Sequence, residues 1–313
     1  MADIGPEEIL ARFEELSVLE SEIEQAELEI IRTQYTLHAP IYKKRAAVIA
    51  KIPHFWALVF EQSPPEVDTY IQPSDSKVFA ECLESLDVTR FEIDDPKGSP
   101  KSFALRFTFA PNDYFEDSVL EKKFYYRRSL DGFDGFVSEP VKIHWKKGKD
   151  LSDGLTDAAY KLWQAQQKLG NGDNRAAEKR LPEYKSLAKK MESDVGVSTS
   201  FFTIFGFVSS FRYVSAEESQ KARKIEKENS EKRRRGEKVE DEGPNDDDED
   251  YQETEVFPGG DEPAMLIAED MWPAAIRYFS KSPSTALYTR ERQANPIGGA
   301  FQRFPLMTCF HPS

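Results

Sequence analysis

SFALRFTFAPNDYFEDSVLEKKFYYRR, residues 102–128, is the stretch that decides the fold. Phe103, Leu105, Phe107 and Phe109 alternate with Ala104, Arg106 and Thr108, the period of two that lays one face of a strand on a core. After the turn-rich APNDYFED a second run, 120–128, is again dense in Phe and Tyr. Two further runs flank this pair: 88–93 lies before it across DDPKGSP, and 137–145 after it across DGFDG. Four consecutive runs with short joints predict an antiparallel four-stranded meander. Helical patterns stand on both sides of it, which makes the fold class α+β.

On the N-terminal side, Ile9, Leu16, Ile23, Ile30 and Leu37 recur every seven residues, with Phe13, Leu19 and Ala26 thickening the stripe. A sustained heptad buries a seam against another helix. About 35 residues of helix span about 50 Å, more than a domain of this size covers. A second copy of the chain is the simplest partner, so residues 1–50 read as a long dimerisation helix. Pro40 is expected to end or kink it, with a second helical stretch over 41–51. In IPHFWALVFEQSPP, Phe55, Trp56, Val59 and Phe60 then form an apolar face that Pro64 and Pro65 stop.

Beyond the meander, 150–199 reads as an insertion of two polar helices, 155–169 and 175–191, separated by GNGDN. SFFTIFGF (200–207) is an aromatic plug, and 216–235 a polar helix. The charge then reverses sign. Lys232, Arg233, Arg234 and Arg235 resemble a nuclear localisation signal, whereas 237–255 holds eleven acids, among them Asp246, Asp247, Asp248, Glu249 and Asp250. Residues 237–260 are expected to form a disordered acidic loop. AMLIAEDMWPAAIRYF (264–279) reads as a helix interrupted at Pro273 and anchored by Trp272 and Ile276. The domain is therefore expected over 51–280, with a disordered tail over 281–313.

The 313 residues carry 42 Lys plus Arg against 56 Asp plus Glu, a formal charge of −14. With 39% hydrophobic and 31% charged residues, part of the chain packs a core and part is a solvated polyelectrolyte. Cys82 and Cys309 form no disulfide framework, and His38, His54, His144 and His311 lack metal-ligand spacing. KKGKD (146–150) has neither the upstream glycine nor the Ser or Thr of a phosphate loop. No catalytic constellation, metal or cofactor is expected. MADIGPEEIL has no basic start or apolar stretch, so no signal peptide is expected there, and no apolar run approaches membrane-span length. The expected setting is a reducing intracellular compartment. A folded, strongly acidic protein suits a basic partner, because its carboxylates compete with nucleic-acid phosphate and steer the encounter.

Six blocks carry a resemblance. YTLHAPIYKKRAAVIAKIPHFW (35–56), VTRFEI (88–93), FTFAPNDYFEDSVLEKKFYY (107–126), EPVKIHWKKGKDL (139–151), SFFTIFGF (200–207) and AEDMWPAAIRYF (268–279) stand in the order of the nucleosome assembly protein (NAP) family. They are closest to its SET, or template-activating factor, branch. The resemblance implies a histone chaperone in the nucleus, shuttling with the cytoplasm, with a long dimerisation helix and an earmuff α+β domain whose acidic underside meets core histones. Glu269 and Asp270, the run 246–250, and Asp113, Glu116 and Asp117 are the candidate histone contacts. Ile9, Leu16, Leu19, Ile23, Ala26, Ile30 and Leu37 are the candidate self-association residues. The resemblance also implies a regulatory alternative: inhibition of a phosphatase, or masking and presentation of histones to an acetyltransferase. Direct DNA contact through Lys179, Arg180, Lys189, Lys190 and the 232–235 cluster is disfavoured by the acidic run beside it. Two features depart from the branch: residues 281–313 hold one acid, Glu291, and the 150–199 insertion is long.

Overall fold

The computed structural model describes residues 5–169, 175–193, 200–235 and 252–283, with Glu237 and Val239 alone between the last two. Helix α1 spans Pro6–Ile49. Pro6 opens it, where a missing N–H leaves nothing unpaired. Pro40 does not end it: the helix runs on to Ile49, and the 41–51 stretch is its last turns rather than a second helix. Proline's fixed φ is itself helical, and contacts beyond the proline hold the turns in place. The Tyr42 ring centroid lies 4.3 Å from that of Trp272, and Ile49 enters the core.

Helices α2 (Phe55–Phe60), α3 (Pro65–Asp68) and α4 (Pro73–Cys82) follow, and the chain then enters the sheet. Strands β1 (Leu83–Thr89), β2 (Phe103–Phe109), β3 (Val119–Arg128) and β4 (Asp134–Ser138) form an antiparallel sheet in that order. This is the meander that the alternation predicts. Two strands sit earlier than expected. β1 stops at Thr89 because Glu92, just beyond it, turns inward: Arg127 donates to both of its oxygens at 2.8 and 2.9 Å, and Ser102 Oγ donates at 2.6 Å. β4 ends before Pro140, which cannot donate to a ladder. From there Val141 N–H donates to Phe205 O at 2.7 Å, and Trp145 makes a lone bridge to Phe115.

Phe103, Leu105, Phe107 and Phe109 face a core closed by the plug, a 3-10 turn over Phe201–Gly206. Phe103 stacks on Phe124 at 5.0 Å, and Phe107 meets Phe205 edge-on at 5.9 Å. Burying each such ring stabilises the fold by roughly 2–3 kcal/mol. Lys122 pairs with Leu105 across the sheet, so its side chain stands on this same core face and is fully buried. Its ammonium donates to Glu139 O at 2.8 Å, Phe207 O at 2.5 Å and Phe205 O at 3.3 Å. A buried amine on the core side of a strand thereby ties the plug to the sheet.

The insertion folds as α5 (Leu155–Leu169), α6 (Arg175–Glu178) and α7 (Pro182–Ser193), the second expected helix being broken at Pro182. Leu155, Ala159, Leu162, Tyr184 and Leu187 make a second small core, which Val256 completes. A Cβ on Gly206 would come within 2.7 Å of the Val256 side chain, so the plug meets this unit only as glycine. Helix α8 (Ala216–Arg234) packs along α1 and β3. The described residues begin again at Gln252, before the expected end of the acidic loop. Gln252–Thr254 form a 3-10 turn, and Val256 and Phe257 are buried because the two cores need their apolar side chains. Helix α9 (Asp261–Leu266), a π turn (Ile267–Met271) and α10 (Ala275–Lys281) complete the domain. Trp272 anchors this stretch by donating to Leu86 O at 3.0 Å, but Ile276 is 59% exposed. The break at Pro273, between Trp272 and the start of α10, moves it off the Trp272 face. Most of the tail expected over 281–313, from residue 284 on, lies outside the described residues.

Candidate functional site

Two short helices that begin with or carry proline create an acidic face. Pro64 and Pro65 set the entry to α3, which exposes Glu66 and Asp68 and packs against α9, which exposes Glu262. Tyr70 lies between them, its ring 4.6 Å from Phe257 and its hydroxyl donating to Pro258 O at 3.2 Å. Burial raises the Tyr70 phenol above its usual range, and the negative charges of Glu262 and Glu255 raise it further. Glu255 is pushed up to about 7 by burial and by Asp261, against the pull of the Gly259 amide and the Ser210 hydroxyl. Among the described residues no Lys or Arg comes within 4.0 Å of Glu66, Asp68, Glu255, Asp261 or Glu262. Five carboxylates thus share one region without a compensating cation. These residues are scattered over almost two hundred positions, and only the packing of α3 on α9 collects them.

The carboxylates singled out from the sequence are bound more tightly to their own chain. Glu269 is 53% exposed but accepts from Arg90 Nη2 at 2.9 Å. Asp270 accepts from Arg277 at 2.7 Å and from the Tyr278 hydroxyl. Both stand in the π turn, two turns into the helical stretch that starts at Asp261, and not at a helix N-terminus. Asp117 accepts from the His144 amide at 2.7 Å and ring nitrogen at 2.8 Å, fastening the β2–β3 loop to the segment after β4. Asp113 and Glu116 in the same loop are exposed. The run 246–250 lies outside the described residues. Lys232 and Arg235 are exposed at the end of α8, while Arg233 is drawn back to Glu226 at 3.3 Å.

Along α1, Ile9, Leu16, Leu19, Ile23, Ile30 and Leu37 are all exposed, Ile30 by 63%, and Ala26 is exposed with them. The domain of the same chain packs on another side of this helix. Arg32 donates to Ile93 O at 3.3 Å, and Glu24 faces Lys101 and Arg128 at 3.9 and 3.7 Å. Among the described residues no helix is long and apolar enough to cross a membrane, and no group of three His, Cys, Asp or Glu could hold a metal ion.

The chain is 35% identical over 149 residues to a putative nucleosome assembly protein of Schizosaccharomyces pombe, a match covering 44% of this chain and 59% of that protein. It is 26% identical over 281 residues to NAP1-related protein 1 of Oryza sativa subsp. indica, covering 87% and 76%. The crystal structure of Vps75 superposes with a TM-score of 0.51 at 22% identity, over 87% of this chain and 98% of that one, and shares the fold. The family model for nucleosome assembly proteins matches residues 18–282, so the chain belongs to the NAP family.

Proposed function

We propose that this chain is a histone chaperone of the nucleus, self-associated through α1, that binds core histones on acidic surfaces and promotes nucleosome assembly. The observation that carries the reading is the uncompensated face of Glu66, Asp68 and Glu262 around Tyr70. Carboxylates without internal partners keep their full field for a basic protein, and they raise its rate of encounter. A bound histone is withdrawn from non-specific contact with DNA, and mass action among competing polyanions suffices to hand it on. No covalent step is needed. Glu269, Asp113, Glu116, Asp117 and the 246–250 run add to the field, and Asp270 adds least because two partners already hold it.

Fluorescence titration of purified core-histone pairs, across a salt series and with competing duplex DNA, tests the proposal. The expected result is an affinity that falls with salt and a protein that releases histones from non-specific DNA. Binding no tighter than that of an unrelated protein of equal charge overturns it.

A further inference from the structure

The insertion brings a tryptophan onto the domain. Helix α5 lies against the plug, where a Cβ on Gly206 would come within 3.4 Å of that of Ala159. One turn beyond Ala159, Trp163 meets Tyr213, with ring centroids 4.6 Å apart and planes at 75°. Both rings are half-buried. Among the described residues no cation lies over either ring, and neither the indole N–H nor the phenol has a hydrogen-bond partner. Elsewhere the chain covers such rings from within: Arg45 lies over Trp272 at 4.4 Å, and Arg127 over Tyr125 at 4.8 Å.

Tyr213 is held from both sides. Arg212 donates to Asp131 at 3.0 Å through Nε and to Glu218 at 2.8 Å through Nη1, and Val214 is fully buried. A ring fixed in this way loses little freedom when a ligand reaches it. The local field is negative. Burial raises the Tyr213 phenol above its usual range, and the charges of Glu139 and Glu217 raise it further, against Arg127. Arg127 is itself neutralised by Glu92, to which it donates at 2.8 and 2.9 Å. Glu139, the residue after β4, and Glu217, in the first turn of α8, are exposed. Among the described residues neither has a cation within 4.0 Å.

Two near-perpendicular rings beside unpaired carboxylates suit a cation, and the rings select its kind. An ordinary lysine ammonium is compact and strongly hydrated, and ring faces cannot replace the hydrogen bonds of its water. Methylation gives the cation an apolar surface that the rings contact, while the carboxylates supply the field. We propose that the corner of Trp163 and Tyr213, with Glu139 and Glu217 beside it, binds a methylated lysine side chain of a basic partner protein. The site stands on ring geometry and charge; only the identity of that partner rests on the histone-chaperone reading.

Calorimetric titration of the full chain with a short, otherwise uncharged peptide tests the site. The peptide carries lysine, trimethyllysine, or the neutral analogue in which carbon replaces the quaternary nitrogen. The trimethyllysine form is expected to bind about tenfold more tightly than either of the others. Trp163→Leu should abolish that preference. Glu139→Gln with Glu217→Gln, at exposed positions where the fold is not at stake, should reduce it several-fold and flatten its salt dependence. Equal affinity for all forms of the peptide, a preference that survives Trp163→Leu in a folded sample, or one untouched by the double variant overturns the proposal. Phosphocholine binding as tight as that of the trimethyllysine peptide would make this a lipid-headgroup site and overturn it as well. A trimethyllysine preference in a chain that does not bind core histones would support the site and count against the histone reading.

Discussion

Arg45 joins the long helix to the domain through Trp272. Its guanidinium lies 4.4 Å from the indole centroid, and its Nη1 donates to Trp272 O at 2.7 Å and to Pro273 O at 3.0 Å. The indole in turn donates to Leu86 O, so one tryptophan links α1 to the edge of the sheet. The backbone carbonyls freed by the break at Pro273 find their donor on α1. The orientation of α1 against the sheet therefore depends on this contact.

Arg45→Ala removes both carbonyl bonds and the cation–π contact. The expected loss is about 2 kcal/mol of stability. Amide exchange should accelerate in the last turns of α1, which hydrogen-exchange mass spectrometry would show, while the sheet stays protected. Uniform loss of protection would mean that the helix and the domain do not separate at this joint.

Lys122→Met keeps the length of the side chain but removes a donor from three carbonyls, of which Phe205 O keeps the Val141 amide, Glu139 O keeps only Ser138 Oγ at 3.4 Å, and Phe207 O is left unpaired. The cost should be about 3 kcal/mol, read as a lower denaturant midpoint. The plug should loosen first, because two of the three carbonyls belong to Phe205 and Phe207. An unchanged midpoint would show that water replaces the ammonium.

Glu255 makes stability depend on pH. Its pKa is raised to about 7 by burial and then by Asp261, above the ordinary value of 4.5. The folded state thus holds this proton more tightly than the unfolded state, and the stabilisation from the protonated form is lost as pH rises from about 4.5 to about 7. Glu255→Gln should therefore stabilise the fold at pH 8 by about 1–2 kcal/mol after allowance for solvent screening, read as a higher melting temperature. The gain should disappear below pH 4.5, and a gain independent of pH would refute the assignment.

The heptad stripe of α1 predicts self-association. Ile23→Asp with Ile30→Asp places charges where the helix exposes large aliphatics, and sedimentation should then report monomers with the domain still folded. A stable dimer in that variant would move the interface elsewhere.

The sheet and the long helix were legible because their signals are local. Alternation over 103–109 and the seven-residue spacing from Ile9 to Leu37 follow directly from strand and helix geometry. What misled was long-range. Val88 and Ile93 look alike in sequence, yet Glu92 is drawn into a buried pair with Arg127, which turns the chain away from the sheet. Pro40 is tolerated because Tyr42 and Arg45 grip Trp272 some 230 residues on. The acidic face was not legible at all: Glu66 and Glu262 look like any of 56 acids until α3 packs on α9. Glu269 and Asp270 drew notice from their motif, but the arginines that hold them are distant in sequence or across a helix break.

The unpaired carboxylates of this face, more than the carboxylates paired inside the chain, are expected to bind the basic partner. The most direct test is the dissociation constant for core histones of the triple variant Glu66→Lys, Asp68→Lys, Glu262→Lys at about 0.15 M salt, where fields beyond about 8 Å are screened. At least a tenfold weakening, about 1.4 kcal/mol, is expected, with melting temperature and molecular mass unchanged and a smaller effect from Glu269→Lys with Asp270→Lys. An unchanged dissociation constant in the folded triple variant would contradict it.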